Sequence, residues 1–331
     1  MSADSLFGGS SSGLTDGSLA LLNQFLTDTV GGSTTTGDMG GSGWVYGTGH
    51  NGETQGAILP GLGLSGGGGL YIGSLQLDLN LPAGSGLVFE GDSGMTPDQA
   101  GAFLKGVVDT YHPGATQLDS LYAAVDQLVG AMKGNGVSTL TVRAFDILNS
   151  AGNGAQAAAG ALGATGPDLV IDATQNAGVQ AFAVDLLHAA GAVVLKGVEY
   201  AAVTNAGTIR VEGTTPIRIQ GDMTSQDITG GAGNDTLVGG GGNDTLTGGL
   251  GNDVFGFSAL GHYTIKDFDT AHDTIAFSST GITNIHQLAA LVTSVDNAAS
   301  GVTFNFGHDA SITLVGVTAA QITSDLIKFT F

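Results

Sequence analysis

Between residues 230 and 256 the chain repeats itself three times with a period of nine. The units are Gly230-Gly-Ala-Gly-Asn-Asp-Thr-Leu-Val238, Gly239-Gly-Gly-Gly-Asn-Asp-Thr-Leu-Thr247 and Gly248-Gly-Leu-Gly-Asn-Asp-Val-Phe-Gly256. All fit the pattern GGxGxDxUx, where U is apolar. The six residues GGxGxD make a turn, with glycine where φ is positive and where carbonyls must crowd together. The remaining xUx is a short strand whose central residue points inward: Leu237, Leu246 and Phe255. Head-to-tail copies of a turn and a strand stack as rungs of a solenoid. A Gly/Asn linker would not keep Asp at position six and an apolar residue at position eight in each copy.

The turns bring together backbone carbonyls and aspartates, with no thiolate in the chain. That donor set suits calcium, a hard cation that takes about six to eight oxygens. The candidate metal-ligating residues are Gly231, Gly233, Asp235, Gly240, Gly242, Asp244, Gly249, Gly251 and Asp253. Calcium is the expected cofactor. The preceding nonapeptide, Gly221 to Thr229, keeps Ile228 at the inward position but has Gln226 where Asp belongs, and the one before it keeps Ile219. Both read as degenerate rungs leading into the repeats.

With these motifs the chain resembles RTX (repeats-in-toxin) proteins. The resemblance implies a calcium β-roll in which two nonapeptides form one coil. Asp235 and Asp253 then share one ion, while Asp244 faces the other side and needs a weaker partner. The segment after the repeats is similar to the strand pair that follows RTX arrays: Tyr263-Thr-Ile-Lys-Asp-Phe268, a turn at Asp269 to Asp273, then Thr274-Ile-Ala-Phe277. The ending Asp325-Leu-Ile-Lys-Phe-Thr-Phe331 is similar to uncleaved C-terminal type I secretion signals. The resemblance therefore implies the type I secretion machinery as a partner and an extracellular or cell-surface location. It also implies folding triggered by extracellular calcium.

Charge agrees with a cation partner. There are 29 acidic and 8 basic residues, a formal net charge of −21. Nucleic acid and anionic membrane surfaces are excluded as expected partners, because both need clustered Lys and Arg. Cysteine is absent, so rigidity outside the cell cannot come from disulfides. The N-terminus, MSADSLFGGSSSG, has no basic region followed by an apolar core, so no classical signal peptide is expected. The longest mostly apolar stretch, Ala177 to Leu195, is interrupted by Gln180, Asp185 and His188, and no membrane span is expected.

Four regions are expected. Residues 1–70 are Gly/Ser-rich, loop-like with short strands, and Leu19 to Phe25 has the pattern of a short helix. Residues 71–220 read as a β-rich, solenoid-like domain with helices near 96–133. The first helix has Thr96 as N-cap, Pro97 in its first turn and Gln99 as capping-box partner, and stops before Pro113. The second runs from about Gln117 to Lys133, with Leu118, Leu121, Val125, Leu128 and Met132 on one face and Gly134-Asn135-Gly136 as its stop. Residues 221–256 are the calcium β-roll, and 257–331 a C-terminal β-cap carrying the secretion signal. The fold class is thus mainly β: a parallel β-solenoid continuing into a calcium β-roll, with an inserted helical pair and a C-terminal β-cap.

No catalytic constellation is selected. Gly9-Ser-Ser-Ser-Gly13 lacks the strand–turn–helix context of a nucleophile elbow. Gly91-Asp-Ser-Gly94 stands without other protease signals, no H-E-x-x-H is present, and the seven histidines show no ligand spacing. The expected role is structural or adhesive, at a surface or in an extracellular matrix. Its partner modes are self-assembly or contact with surface glycans. The alternatives are a polysaccharide hydrolase drawing two carboxylates from Asp168, Asp172, Asp185 and Glu199, and a small pore-forming or bacteriocin-like toxin.

Overall fold

The computed structural model describes short strands within residues 35–78, and then residues 85–111, 118–149, 169–174, 178–185, 192–204, 206–277, 282–307 and 310–329. Among the described residues two large sheets face each other. The first contains, in spatial order, β1 (Thr35–Asp38), β2 (Gly43–Thr48), β3 (Thr54–Ile58), β6 (Ser85–Met95), β7 (Leu140–Asn149), β9 (Gln180–Asp185), β11 (Tyr200–Thr204), β13 (Arg218–Gln220), β15 (Thr236–Val238), β17 (Val254–Phe257), β19 (Thr274–Phe277) and β23 (Ile327–Lys328). The second runs β20 (Ser294–Ala298), β21 (Gly301–Asn305), β22 (Ser311–Val315), β18 (Gly261–Ile265), β16 (Gly242–Thr247), β14 (Asp227–Thr229), β12 (Thr208–Glu212), β10 (Val193–Lys196), β8 (Leu169–Asp172), β5 (Leu75–Asp78) and β4 (Gly69–Ile72).

From β7 to β19 the chain alternates between the sheets, and successive same-sheet strands of this stretch pair in parallel, which is the solenoid. The nine-residue period sets the register. Ile219 aligns with Leu237 and Leu237 with Phe255 in one sheet, while Ile228 aligns with Leu246 in the other. All five point inward and are fully buried. They belong to one core that runs from Ile171 and Phe182 through the repeats to Ile312, Leu314 and Leu326. Each rung is too small to bury its apolar residue alone, so stacking is what removes it from water.

The helical pair behaves as its sequence predicts. Helix α1 spans Pro97–Tyr111 and α2 spans Leu118–Gly134. The Thr96 amide donates to Gln99 Oε1 (2.9 Å), and the Gln99 amide donates to Thr96 Oγ1 (3.4 Å), closing the capping box. Gly136 takes φ +72° at the other end, and the Val137 amide returns to the Met132 carbonyl (3.0 Å). The two helices cover the outer face of the first sheet. Leu104, Leu128 and Met132 pack there on Leu140, Val142, Ala181 and Ala202. Asn135 Nδ2 donates to the Tyr200 hydroxyl (3.1 Å).

The first half of the chain differs from a solenoid. β1 to β3, β6 and β7 pair antiparallel, as do β4, β5 and β8. The helical pair explains the β6–β7 step. Helix α1 travels roughly 22 Å and α2 about as far. Because they pack against each other, the chain returns to where β6 ended, and β7 must run antiparallel to it. Parallel stacking begins only at the β7–β9 step. The expected short helix at Leu19 to Phe25 lies outside the described residues.

At the C-terminal end the sheets close over aromatic side chains. Phe257 meets Tyr263 edge-on (4.6 Å between centroids), and Phe277 stacks on Phe329 (6.4 Å). β23 pairs with β19, so Ile327 and Lys328 add the last described rung of the first sheet. A hairpin of β20 and β21 extends the second sheet, preceded by α3 (Ile285–Leu291), which Asn284 caps.

Candidate metal centre

The register places the turns of alternate nonapeptides on the same edge of the solenoid. Turn 230–235 stacks on turn 248–253, and turn 221–226 stacks on turn 239–244. Asp235 and Asp253 are therefore brought together, and Asp244 sits on the opposite edge.

The aspartates form ladders. The Ile217 amide donates to Asp235 Oδ1 (3.0 Å), the Asp235 amide to Asp253 Oδ1 (2.8 Å) and the Asp253 amide to Asp273 Oδ1 (2.9 Å). On the other edge the Gln226 amide donates to Asp244 Oδ1 (2.9 Å). Each carboxylate thus holds the coil before it. The second oxygen closes the turn in some copies: the Gly231 amide reaches Asp235 Oδ2 (2.7 Å), and the Asp269 amide reaches Asp273 Oδ2 (2.9 Å). Asp244 differs, for its buried Oδ2 has no partner with hydrogen-bond geometry, and the Gly241 backbone acts on the carboxylate only weakly.

The candidate glycines form the walls of the same cradles. Gly240, Gly242, Gly249 and Gly251 all take positive φ, between +79° and +134°. A methyl at Gly249 would collide with the Gly231 carbonyl oxygen, and one at Gly251 with that of Gly233. On the opposite edge a methyl at Gly242 would lie 2.7 Å from the Met223 carbonyl oxygen and 2.8 Å from that of Thr224. Carbonyl oxygens of one turn are therefore aimed at the backbone of the next, with no side chain between them. Gly231 meets the Gly213 carbonyl of the preceding turn in the same way, and Gly233 packs on the Pro216 backbone with the Thr214 carbonyl beside it.

Burial makes these carboxylates costly to ionise. Asp244 is pushed up to about 7, first by burial and also by Asp222 nearby, against the Gln226 hydrogen bond. Asp253 rises to about 6 through burial and the charges of Asp273, Asp235 and Asp267. Asp235 and Asp273 are raised mainly by burial. A cation in the cradle would remove that cost, and the unsatisfied Asp244 oxygen and the carbonyl walls fit one that prefers oxygen. Among the described residues no three His, Cys, Asp or Glu side chains converge as a metal site. The donors are mostly backbone carbonyls, as suits calcium better than a transition metal.

The family model for the RTX calcium-binding nonapeptide repeat matches residues 221–255, in 4 copies. This is an RTX-type chain. RTX nonapeptide repeats bind calcium, so the match covers the cradles just described and includes the degenerate copy at Gly221. A solved structure is also similar: the solution structure of the AlgE6R3 subunit from the Azotobacter vinelandii mannuronan C5-epimerase. It is 28% identical over 36% of this chain and 77% of that one, with a TM-score of 0.29. No curated protein matches the chain.

Asp267, Asp269 and Asp273 extend the RTX edge beyond what the repeat pattern selects. Asp267 accepts the Gly248 and Gly249 amides (2.8 and 2.9 Å), which ties the turn of the last repeat to the segment after it. The signal for Asp273 was Asp-Thr-Ile at 273–275, which copies the Asp-Thr-Leu of the first two repeats. His272 lies exposed in that turn and its Nδ1 pairs with Asp269 Oδ2 (2.8 Å).

Of the four hydrolase candidates, Asp172 and Glu199 have described side chains, and each is engaged locally. Asp172 Oδ1 accepts the Thr174 amide (3.0 Å) and hydroxyl (2.6 Å) within its own turn. Glu199 Oε2 accepts the Gln180 amide (2.8 Å). Asp168 and the side chain of Asp185 lie outside the described residues, as does Gly9 to Gly13. Gly91 to Gly94 falls within β6 and not in a nucleophile loop. No helix among the described residues is long and apolar enough to cross a membrane.

Proposed function

We propose that this RTX-type chain is a secreted protein that folds when it meets calcium at about millimolar concentration outside the cell, and that its role there is structural or adhesive. The observation that carries the gating is the burial of Asp235, Asp244 and Asp253 in turns walled by carbonyl oxygens. Without a cation these groups repel one another, and glycine-rich turns carry a high ordering entropy. An ion bound only by the folded state offsets both, so its binding energy is folding energy. The ligands are Gly231, Gly233, Asp235, Gly249, Gly251 and Asp253 on one edge, and Gly240, Gly242 and Asp244 on the other.

Export through type I secretion machinery belongs to the same reading. Leu326 is buried and Ile327 pairs with Ile275, so the segment that begins at Asp325 is tied into the last rung once the chain folds, although Asp325 and Lys328 stay exposed. Low cytosolic calcium would keep it exposed. The expected four-part division at 70, 220 and 256 belongs to the same reading, with the repeat region as the part that calcium organises.

A row of hydroxyls supports the surface role. Thr245, Thr264 and Thr313 align on the outer face of the second sheet, and Thr303 Oγ1 lies 2.9 Å from Thr313 Oγ1. Such a regular polar row suits lateral packing or glycan contact. The test is sedimentation velocity of the full chain in EDTA and in calcium, with Thr264→Lys as the disrupting variant. Calcium-dependent self-association that Thr264→Lys abolishes supports the reading. A calcium-loaded monomer that also ignores polysaccharide in a pull-down removes the adhesive role and leaves the calcium site standing.

A further inference from the structure

We propose that the degenerate nonapeptide Gly221 to Thr229 completes a second calcium site on the edge opposite Asp235 and Asp253, with Asp222 supplying the carboxylate that Gln226 cannot. This rests on the calcium reading above and extends it to a residue outside the repeat pattern.

The substitution is paired within one copy. In the three regular repeats position two is glycine and position six aspartate; here position two is Asp222 and position six is Gln226. Gln226 is committed to structure. Its Oε1 accepts the Asp222 amide (3.2 Å), and its Nε2 donates to the Val203 and Ala206 carbonyls (3.4 and 3.3 Å). It closes the turn as Asp235 and Asp273 do in theirs, but brings no charge. Asp222 restores that charge four residues earlier in the same turn. It is 4% exposed, and its Oδ1 accepts the Thr224 amide (2.8 Å) and hydroxyl (2.6 Å), which fixes the side chain.

Stacked on this turn is Asp244, 2% exposed, whose Oδ2 has no partner with hydrogen-bond geometry. The Gly221 and Asp222 carbonyls crowd the face of Gly240, and those of Met223 and Thr224 crowd Gly242. Two buried carboxylates, those of Asp222 and Asp244, thus lie in stacked turns whose carbonyls crowd the facing glycines, and one of them has an unsatisfied oxygen. Such an arrangement is expensive unless a cation occupies it. The charge of Asp222 reaches Asp244, since it is among the groups that make Asp244 harder to ionise.

Calcium itself is the probe, titrated calorimetrically into the full chain. Asp222→Asn keeps an acceptor for Thr224 and removes the charge. It is expected to weaken one class of site by about tenfold or more while the class that Asp253→Asn removes persists. The double variant Asp222→Gly, Gln226→Asp rebuilds the regular pattern and should regain the lost site. If Asp222→Asn binds like the parent while Asp244→Asn does not, Asp222 is no ligand and the proposal fails. If neither changes binding, the second cradle is not a site and the proposal fails too. A parent chain that binds no calcium would sink the broader reading, a result distinct from both. Should Asp222→Asn not fold in saturating calcium, the double variant decides: folded without the second class, it overturns the proposal.

Discussion

Replacing Gly251 by alanine, and comparing it with the same change at Gly213, isolates what the cradle demands of the chain. Both glycines have positive φ, +134° at Gly251 and +107° at Gly213. An alanine at either is strained, by about 1–3 kcal/mol. Their surroundings differ. Nothing lies within 4 Å of a methyl at Gly213, whereas one at Gly251 collides with the Gly233 carbonyl oxygen and lies 3.1 Å from Asn234 Oδ1. Moving a packed turn aside adds about 1–3 kcal/mol. It also turns the Gly233 carbonyl away from the cradle. If one ion is coupled to folding, about 2 kcal/mol of extra cost raises the calcium midpoint by roughly thirtyfold; if two bind together, by roughly fivefold. The assay is β-sheet circular dichroism against free calcium for the parent and both variants. The expected order is parent, then Gly213→Ala, then Gly251→Ala at the highest midpoint. Equal midpoints for the two variants would refute the claim that carbonyl crowding makes glycine obligatory at Gly251.

Other consequences follow from burial and charge. Phe255 is fully buried against Phe268 (5.9 Å between centroids), so Phe255→Ala should cost about 3–5 kcal/mol in urea unfolding with calcium present. Leu250, 72% exposed in the neighbouring turn, should change stability by less than about 0.5 kcal/mol as alanine. Leu128→Ala should cost about 2–5 kcal/mol in the helical layer yet leave the calcium midpoint unchanged, because Leu128 belongs to the separate core under the helices. The pH dependence has opposite signs with and without calcium. Asp244 and Asp253 rise from 3.8 to about 7 and about 6 in the folded chain, so their stabilising share is present below the unfolded value and is lost as pH rises through about 6 to 7. In EDTA the β signal should therefore grow as pH falls from 8 towards 5, while calcium affinity falls over the same range, because the ion needs the ionised carboxylates. Circular dichroism and calcium titration at stepped pH check both.

The solenoid was legible where the sequence is periodic. Leu237, Leu246 and Phe255 sit at position eight of their copies, and a period of nine leaves one register that buries all three. The helices were legible because Thr96, Pro97 and Gln99 mark a start and Gly134 to Gly136 a stop. The antiparallel β6–β7 step was not, because its direction depends on where the helical pair returns the chain, which no local pattern encodes. Asp267 was read as part of a strand after the repeats, and Asp273 as part of the turn that follows it. Asp273 lies 20 residues after Asp253 where the repeats step by 18, and that longer loop hides it from a nine-residue template. Gln226 was legible as a missing aspartate. That Asp222 is buried in the turn on which the Asp244 turn stacks needed the register of the two turns.

The most direct test of the central claim is far-UV circular dichroism of the full chain in EDTA, then through a calcium titration, with magnesium as control. The account predicts a cooperative gain of β signal at about millimolar calcium, absent with magnesium and shifted to higher calcium by Asp235→Ala or Asp253→Ala. A spectrum that ignores calcium, or that magnesium changes equally, would contradict it.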